Sequence, residues 1–230
     1  AAAQQPQQQG GAAKAPRSPS PERKAKASAC SLALRLLAGT AEAELIGGLA
    51  EKMFFESMPI DNVHDLRCEA LDDARSRGAF MRVLAEEGGD LSRIRMAWHL
   101  AGSSAAAAAI ATDGIRCDDG HCMCGRYGRG GYVATNAAKS NAYADSEVNG
   151  SVRHLFLVLA LPEPQVLPGE RGLRPRRTAA DLPSHPTEYC FVDPERLHCV
   201  CLSRPTVLTA GNHARAWRSP CSELPAAVEH

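Results

Sequence analysis

The 230 residues carry 26 lysines and arginines against 26 aspartates and glutamates, a formal net charge of zero. That balance excludes the whole-chain attraction on which non-specific nucleic-acid or anionic-membrane binding rests, so a partner must be recognised locally. Hydrophobic residues make up 44% of the chain, ample for a core, yet no apolar run approaches the roughly 18 residues a membrane span needs.

Residues 1–27 are Gln, Pro, Ala, Gly and Ser with a basic run, Arg17, Arg23, Lys24 and Lys26, and no apolar periodicity. Such a segment buries too little to offset its chain entropy and is expected to be a disordered tail. From Ala29 the pattern changes. Leu32, Leu34, Leu36 and Leu37, then Leu45, Ile46 and Leu49, recur at helical spacing, broken by Gly39 and by the pair Gly47 and Gly48, which predicts one or two short helices. Val63 to Arg67 is a short strand candidate, and a helix is expected from Leu71 to Glu87, ended by Gly88 and Gly89.

Beyond Arg93 the alternation of Ile94, Met96 and Trp98 with Arg95 and Ala97 reads as a half-buried strand ending at His99. Ala105 to Ala111 has high helix propensity and closes at Gly114. Further strands are predicted at Gly131 to Ala134, Leu155 to Leu161, Tyr189 to Val192 and Cys199 to Leu202. The expected class is α+β, a mixed, largely antiparallel sheet with a few flanking helices. It forms one domain over 28–214, followed by a flexible tail over 215–230 that holds Trp217.

The segment densest in chemistry runs from Gly125 to Tyr143. Gly125, Gly128, Gly130 and Gly131 let backbone turn tightly and approach a ligand, and Tyr132, Ser140 and Tyr143 follow at fixed offsets. No strand-turn-helix unit with a downstream acidic residue surrounds these glycines, so they are not a dinucleotide-fold fingerprint.

Taken together, Trp98-His99, then Gly128-Arg-Gly130-Gly131-Tyr132-Val133-Ala134, then Lys139-Ser140-Asn-Ala-Tyr143, then Thr187-Glu188-Tyr189 resemble the catalytic domain of the poly(ADP-ribose) polymerase family, the diphtheria-toxin-like ADP-ribosyltransferases. The resemblance covers roughly 50–205. It implies an ADP-ribosyltransferase-type sheet and NAD as co-substrate, with ADP-ribose passed to a protein or other acceptor, singly or as a polymer, and nicotinamide released. It also implies a triad of His99, Tyr132 and Glu188. His99 would orient the adenosine-side ribose, Tyr132 would pack along the nicotinamide ribose, Tyr143 would stack on the ring, and Ser140 would donate to its carboxamide. Glu188 would stabilise the cationic transition state and Lys139 would stand beside it, while Gly102, Ser103, Gly128 and Gly130 complete the donor site. Where the family has Gly-Ser directly after its histidine, this chain has Leu100-Ala101 before Gly102-Ser103, either an inserted pair or a backbone contact supplied by Leu100. Gly131 replaces a β-branched residue and is expected to loosen its strand. The rival reading keeps the fold as a catalytically inactive module binding NAD or ADP-ribose.

Nine cysteines, an odd number at irregular spacing, predict reduced thiols in an intracellular protein, nuclear or cytoplasmic. Cys117, His121, Cys122 and Cys124 carry soft ligands but lack paired Cys-x2-Cys arms, so thiols in a mobile loop are expected rather than a zinc-built module, and no metal is expected. Pro162 to Pro186, with Arg171, Arg174, Arg176 and Arg177, stands where the resemblance implies an acceptor-facing loop, and otherwise reads as a solvated loop of mixed charge.

Overall fold

The computed structural model describes residues 31–58, 63–118, 123–144, 151–170 and 175–207, the side chains of Met123 and Cys124 excepted. Both predicted tails, together with Arg171, Arg174, His121 and Cys122, lie outside the described residues. A helix over 31–37 (α1) stops at Gly39, whose φ of +65° suits glycine. The next helix, α2 (Ala43–Ser57), runs straight through Gly47 and Gly48, correcting the expected break. Packing overrides the propensity loss of about 1 kcal/mol per glycine, because Ile46, Ala50 and Phe54 on α2 are buried. At Gly47 the helix also lies close over the next strand, where an added Cβ would sit 3.9 Å from that of Cys68.

β1 (Val63–Ala70) follows, longer than predicted, then α3 (Ala74–Glu86), which starts at Asp73 because its carboxylate caps the backbone N–H groups of Arg75 and Ser76. Gly88 and Gly89, both at positive φ, end it as expected. β2 (Arg95–Leu100), α4 (Ser104–Asp113), β3 (Met123–Gly125), β4 (Gly128–Ala134) and α5 (Ala137–Asn141) lead to β5 (Leu155–Ala160). The two-residue β6 (Leu167–Pro168) and β7 (Ala179–Ala180), β8 (Glu188–Phe191) and β9 (Leu197–Val207) complete the chain. The sheet order is β1-β9-β5-β2-β4-β8-β7-β6, with β3 paired to β4, and every pairing is antiparallel except β6 with β7. The chain is therefore α+β around a mixed, mostly antiparallel sheet, and no helix among the described residues is long and apolar enough to cross a membrane.

β5 explains its own sequence. Leu155, Leu157 and Leu159 join one apolar cluster, with α1, α2 and α3, while Phe156, Val158 and Ala160 join the other, against α4. A strand buried on both faces reads as a continuous apolar run rather than an alternation. Trp98, buried completely, meets Phe54 edge-on at 6.0 Å and ties α2 to β2.

On β9, His198 is 2% exposed, with Nδ1 3.1 Å from Ser76 Oγ, and burial pushes its imidazole down to about 4. Between the ordinary value of about 6.5 and that value the unfolded chain binds more protons, so stability falls as pH drops through this window. At about 1.4 kcal/mol per unit the loss is roughly 3 kcal/mol. The His198 ring proton is expected to titrate near 4 by NMR, with the melting temperature falling below pH 6.5; a midpoint above 6 would contradict this burial argument.

Candidate functional site

The sheet creates its own opening. Ala101 N–H bonds the His154 carbonyl, so the odd residues of β2 pair with β5 and the even ones turn toward β4. On that side the ladder holds at one pair, Trp98 with Ala134, and then opens. Leu100 continues the strand without a bulge, and the alternation directs its backbone N–H and C=O into the opening. At Leu100-Ala101 the pairing with β5 therefore continues with no looped-out pair.

A cleft of about 390 Å³ occupies this gap, within the range of small-molecule sites. Seven of the predicted residues line it: His99, Gly102, Gly130, Tyr132, Ser140, Tyr143 and Glu188. Its walls are apolar, from Ala106, Ala109, Ile110, Ile115 and Val133, and Arg116 adds one cation. Gly128, Lys139 and Ser103 do not line it, and the Ser103 hydroxyl caps α4 by accepting from Ala106 N–H at 3.1 Å.

His99 is fixed through Nδ1, 2.7 Å from the Tyr132 carbonyl. A carbonyl only accepts, so Nδ1 carries the proton and the neutral ring offers a lone pair at Nε2. Burial holds the imidazole below its ordinary value despite that bond. Tyr132 is locked in turn: its hydroxyl donates to the Gly128 carbonyl at 2.6 Å and accepts from Tyr127 N–H at 3.0 Å, and burial raises its phenol. The β3–β4 turn that delivers these partners needs φ +104° at Gly128. The ring also lies against Gly125, where an added Cβ would come within 2.5 Å of Tyr132 Cζ.

Gly131 does not loosen β4. A Cβ there would meet Cys117 Sγ at 2.9 Å and Ile115 Cγ2 at 3.1 Å, so the position is filled from the neighbouring segment. Cys117 is itself 1% exposed, which corrects its reading as a thiol in a mobile loop. Among the described cysteines there is no disulfide.

Glu188 opens β8 and is 1% exposed. Its carboxylate takes a hydrogen bond from the Tyr143 hydroxyl, which burial and that carboxylate together raise. Glu188 Oε2 accepts no hydrogen bond among the described residues, and Lys139 Nζ stands 3.4 Å from it. Ser140 is placed differently from the expectation, because its one hydroxyl proton goes to the Trp98 carbonyl at 2.8 Å.

Sequence reading missed Asp181, whose carboxylate gathers the turn before β8. Oδ1 accepts from Thr187 N–H at 2.9 Å and Glu188 N–H at 3.1 Å, and Oδ2 accepts from Thr187 Oγ1 and from Lys139 Nζ at 2.9 Å. Burial opposes its charge, but these donors outweigh it and hold the carboxyl well below the usual carboxylate range. The only signal in the sequence was an aspartate opening a proline-containing turn. Among the described residues of the Pro162 to Pro186 segment, β6 and β7 extend the sheet, and Gly169 packs so closely on Tyr127 that an added Cβ would lie 2.2 Å from the tyrosine Cβ. Arg176 and Arg177 are exposed.

In comparisons with known proteins the chain matches no family model and no curated protein.

Proposed function

We propose that the chain is an NAD-dependent ADP-ribosyltransferase of the poly(ADP-ribose) polymerase type, which moves ADP-ribose from NAD to an acceptor and releases nicotinamide. The observation that carries this reading is the convergence of His99, Tyr132, Tyr143 and Glu188 on one cleft, although they come from β2, β4, the end of α5 and β8. A buried carboxylate oxygen with no hydrogen bond among the described residues, Glu188 Oε2, fits a ligand that brings hydroxyl groups.

NAD supplies a glycosidic bond to a leaving group that is already cationic, so no protein acid is needed to expel it. Glu188 accepts from a ribose hydroxyl, places its negative charge where positive charge develops, and receives the acceptor's proton as the acceptor bonds the ribose carbon and the electron pair leaves with nicotinamide. His99 Nε2 accepts from the adenosine-side ribose, and Arg116 faces the donor's diphosphate. Tyr132 and Tyr143 give aromatic surface to the ring, and the Leu100 backbone pairs with its amide. Ser140 reaches the carboxamide oxygen by giving up its Trp98 bond.

Saturation-transfer NMR with NAD tests the binding half directly. Transfer to the nicotinamide protons is expected, displaced by free nicotinamide, and Tyr143→Ala should weaken nicotinamide by about tenfold through the lost stacking. Absence of transfer to either ring of NAD from folded protein would overturn the proposal. Binding without nicotinamide release would leave an interaction module in its place.

A further inference from the structure

We infer that Asp181 is a positioning residue that draws the Lys139 ammonium off hydrogen-bond contact with Glu188, so that the Glu188 end of the cleft keeps a net negative charge for a cationic ring. The inference rests on the transferase reading and specifies how its site handles charge.

The geometry gives Lys139 three neighbours at unequal distances. Its ammonium donates to Thr187 Oγ1 at 2.7 Å and to Asp181 Oδ2 at 2.9 Å, whereas Glu188 Oε2 lies 3.4 Å away and accepts no hydrogen bond among the described residues. An ammonium with no other carboxylate to bond would close to hydrogen-bond distance on Glu188 Oε2 and occupy its lone pair. Asp181 prevents this while building the turn itself, because its oxygens also take the Thr187 and Glu188 backbone N–H groups. One carboxylate therefore fixes both the strand end that carries Glu188 and the cation beside it.

The formal charges are one positive on Lys139 and one negative each on Asp181 and Glu188, giving minus one. Their side chains are 31%, 12% and 2% exposed, so solvent screens this triplet less than surface charges. Two further cations stand nearby: Arg116 on the cleft lining, whose side chain is 54% exposed and 3.7 Å from the Asp118 carboxylate, and Arg126, exposed on the β3–β4 turn, and water screens both. Without Asp181 the triplet would be a neutral Lys139–Glu188 pair, and Glu188 would face the substrate with its charge already spent.

The test compares the native chain with Asp181→Asn, Lys139→Met and the double variant. Each is titrated with nicotinamide, which is neutral, and with 1-methylnicotinamide, a ring of nearly the same shape carrying a fixed positive charge. Asp181→Asn is expected to weaken the cationic ring by about tenfold more than the neutral one, reflecting a net charge that moves from minus one to zero. The double variant restores minus one and should return the cation-to-neutral ratio to within about threefold of native. Recovery in a variant that still lacks Asp181 also shows that the turn has folded. Equal weakening of both rings in Asp181→Asn, not relieved by Lys139→Met, would assign Asp181 a structural role and overturn the inference. Failure of the native chain to bind either ring would instead remove the transferase reading on which it rests.

Discussion

Replacing Gly130 with alanine is expected to unfold the site side of the sheet, whereas the same change at Gly131 should be mild. A Cβ at Gly130 would stand 2.2 Å from the Phe191 carbonyl oxygen and 3.0 Å from its carbon, atoms of the β8 backbone, and 2.7 Å from Cys190 Sγ. Backbone cannot rotate aside as a side chain can, so β4 and β8 must separate, and with them Tyr132 and Glu188, which the register Tyr132↔Cys190 and Ala134↔Glu188 holds together. At Gly131 the obstacles are the side chains of Cys117, Ile115 and Leu197, which give by a few tenths of an ångström. The expected cost is at least about 3 kcal/mol for Gly130→Ala and about 1 kcal/mol for Gly131→Ala. For a domain of this size these correspond to melting temperatures lower by roughly 10 °C and 3 °C. Thermal unfolding of the two variants beside the native chain checks this. Equal melting would mean that β4 and β8 are not packed at the distance described.

Glu188→Gln is expected to lower nicotinamide release by about 10²–10³-fold, the range for removing one preorganised electrostatic contact from a transition state. The substitution keeps the shape and an acceptor oxygen but removes the charge. Lys139 retains Asp181 and Thr187 as partners, and Asp181 still holds the backbone N–H of residue 188, so the turn survives. The loss should therefore fall on kcat with little change in KM, since the interaction is made chiefly in the transition state. A variant that turns over at the native rate would remove Glu188 from the chemistry.

What could be read from sequence followed from local, periodic signals. The apolar run of β5, the Gly88 end of α3 and the Gly114 close of α4 are written in adjacent residues, while α3 starts three residues later than the expected Leu71, behind the Asp73 cap. The break expected at Gly47 and Gly48 failed because tertiary packing of Phe54 and Ala50 decides that helix rather than propensity. The two-residue strands β6 and β7 carry no period at all, being fixed by their pairing with each other and with β8.

The candidate site was legible as a set of residues, and seven of the ten share a cleft. Its internal bonding was not. That Ser140 donates to Trp98 and that Cys117 fills the space beside Gly131 depend on which residues the topology brings together, whereas the Ser103 cap of α4 is a local bond to a residue three positions on. Asp181 was missed because three of its four donors, all from Thr187 and Glu188, meet it in an aperiodic turn, and the fourth, Lys139, arrives from 42 residues away.

The most direct measurement is nicotinamide release from ring-labelled NAD by the native chain and by Glu188→Gln, in parallel, with a broad mixture of protein acceptors. Release that is linear in time, proportional to protein and about 10²–10³-fold slower in the variant is the predicted result. Well-folded native protein that releases no nicotinamide, or a variant that releases it equally fast, would contradict the account.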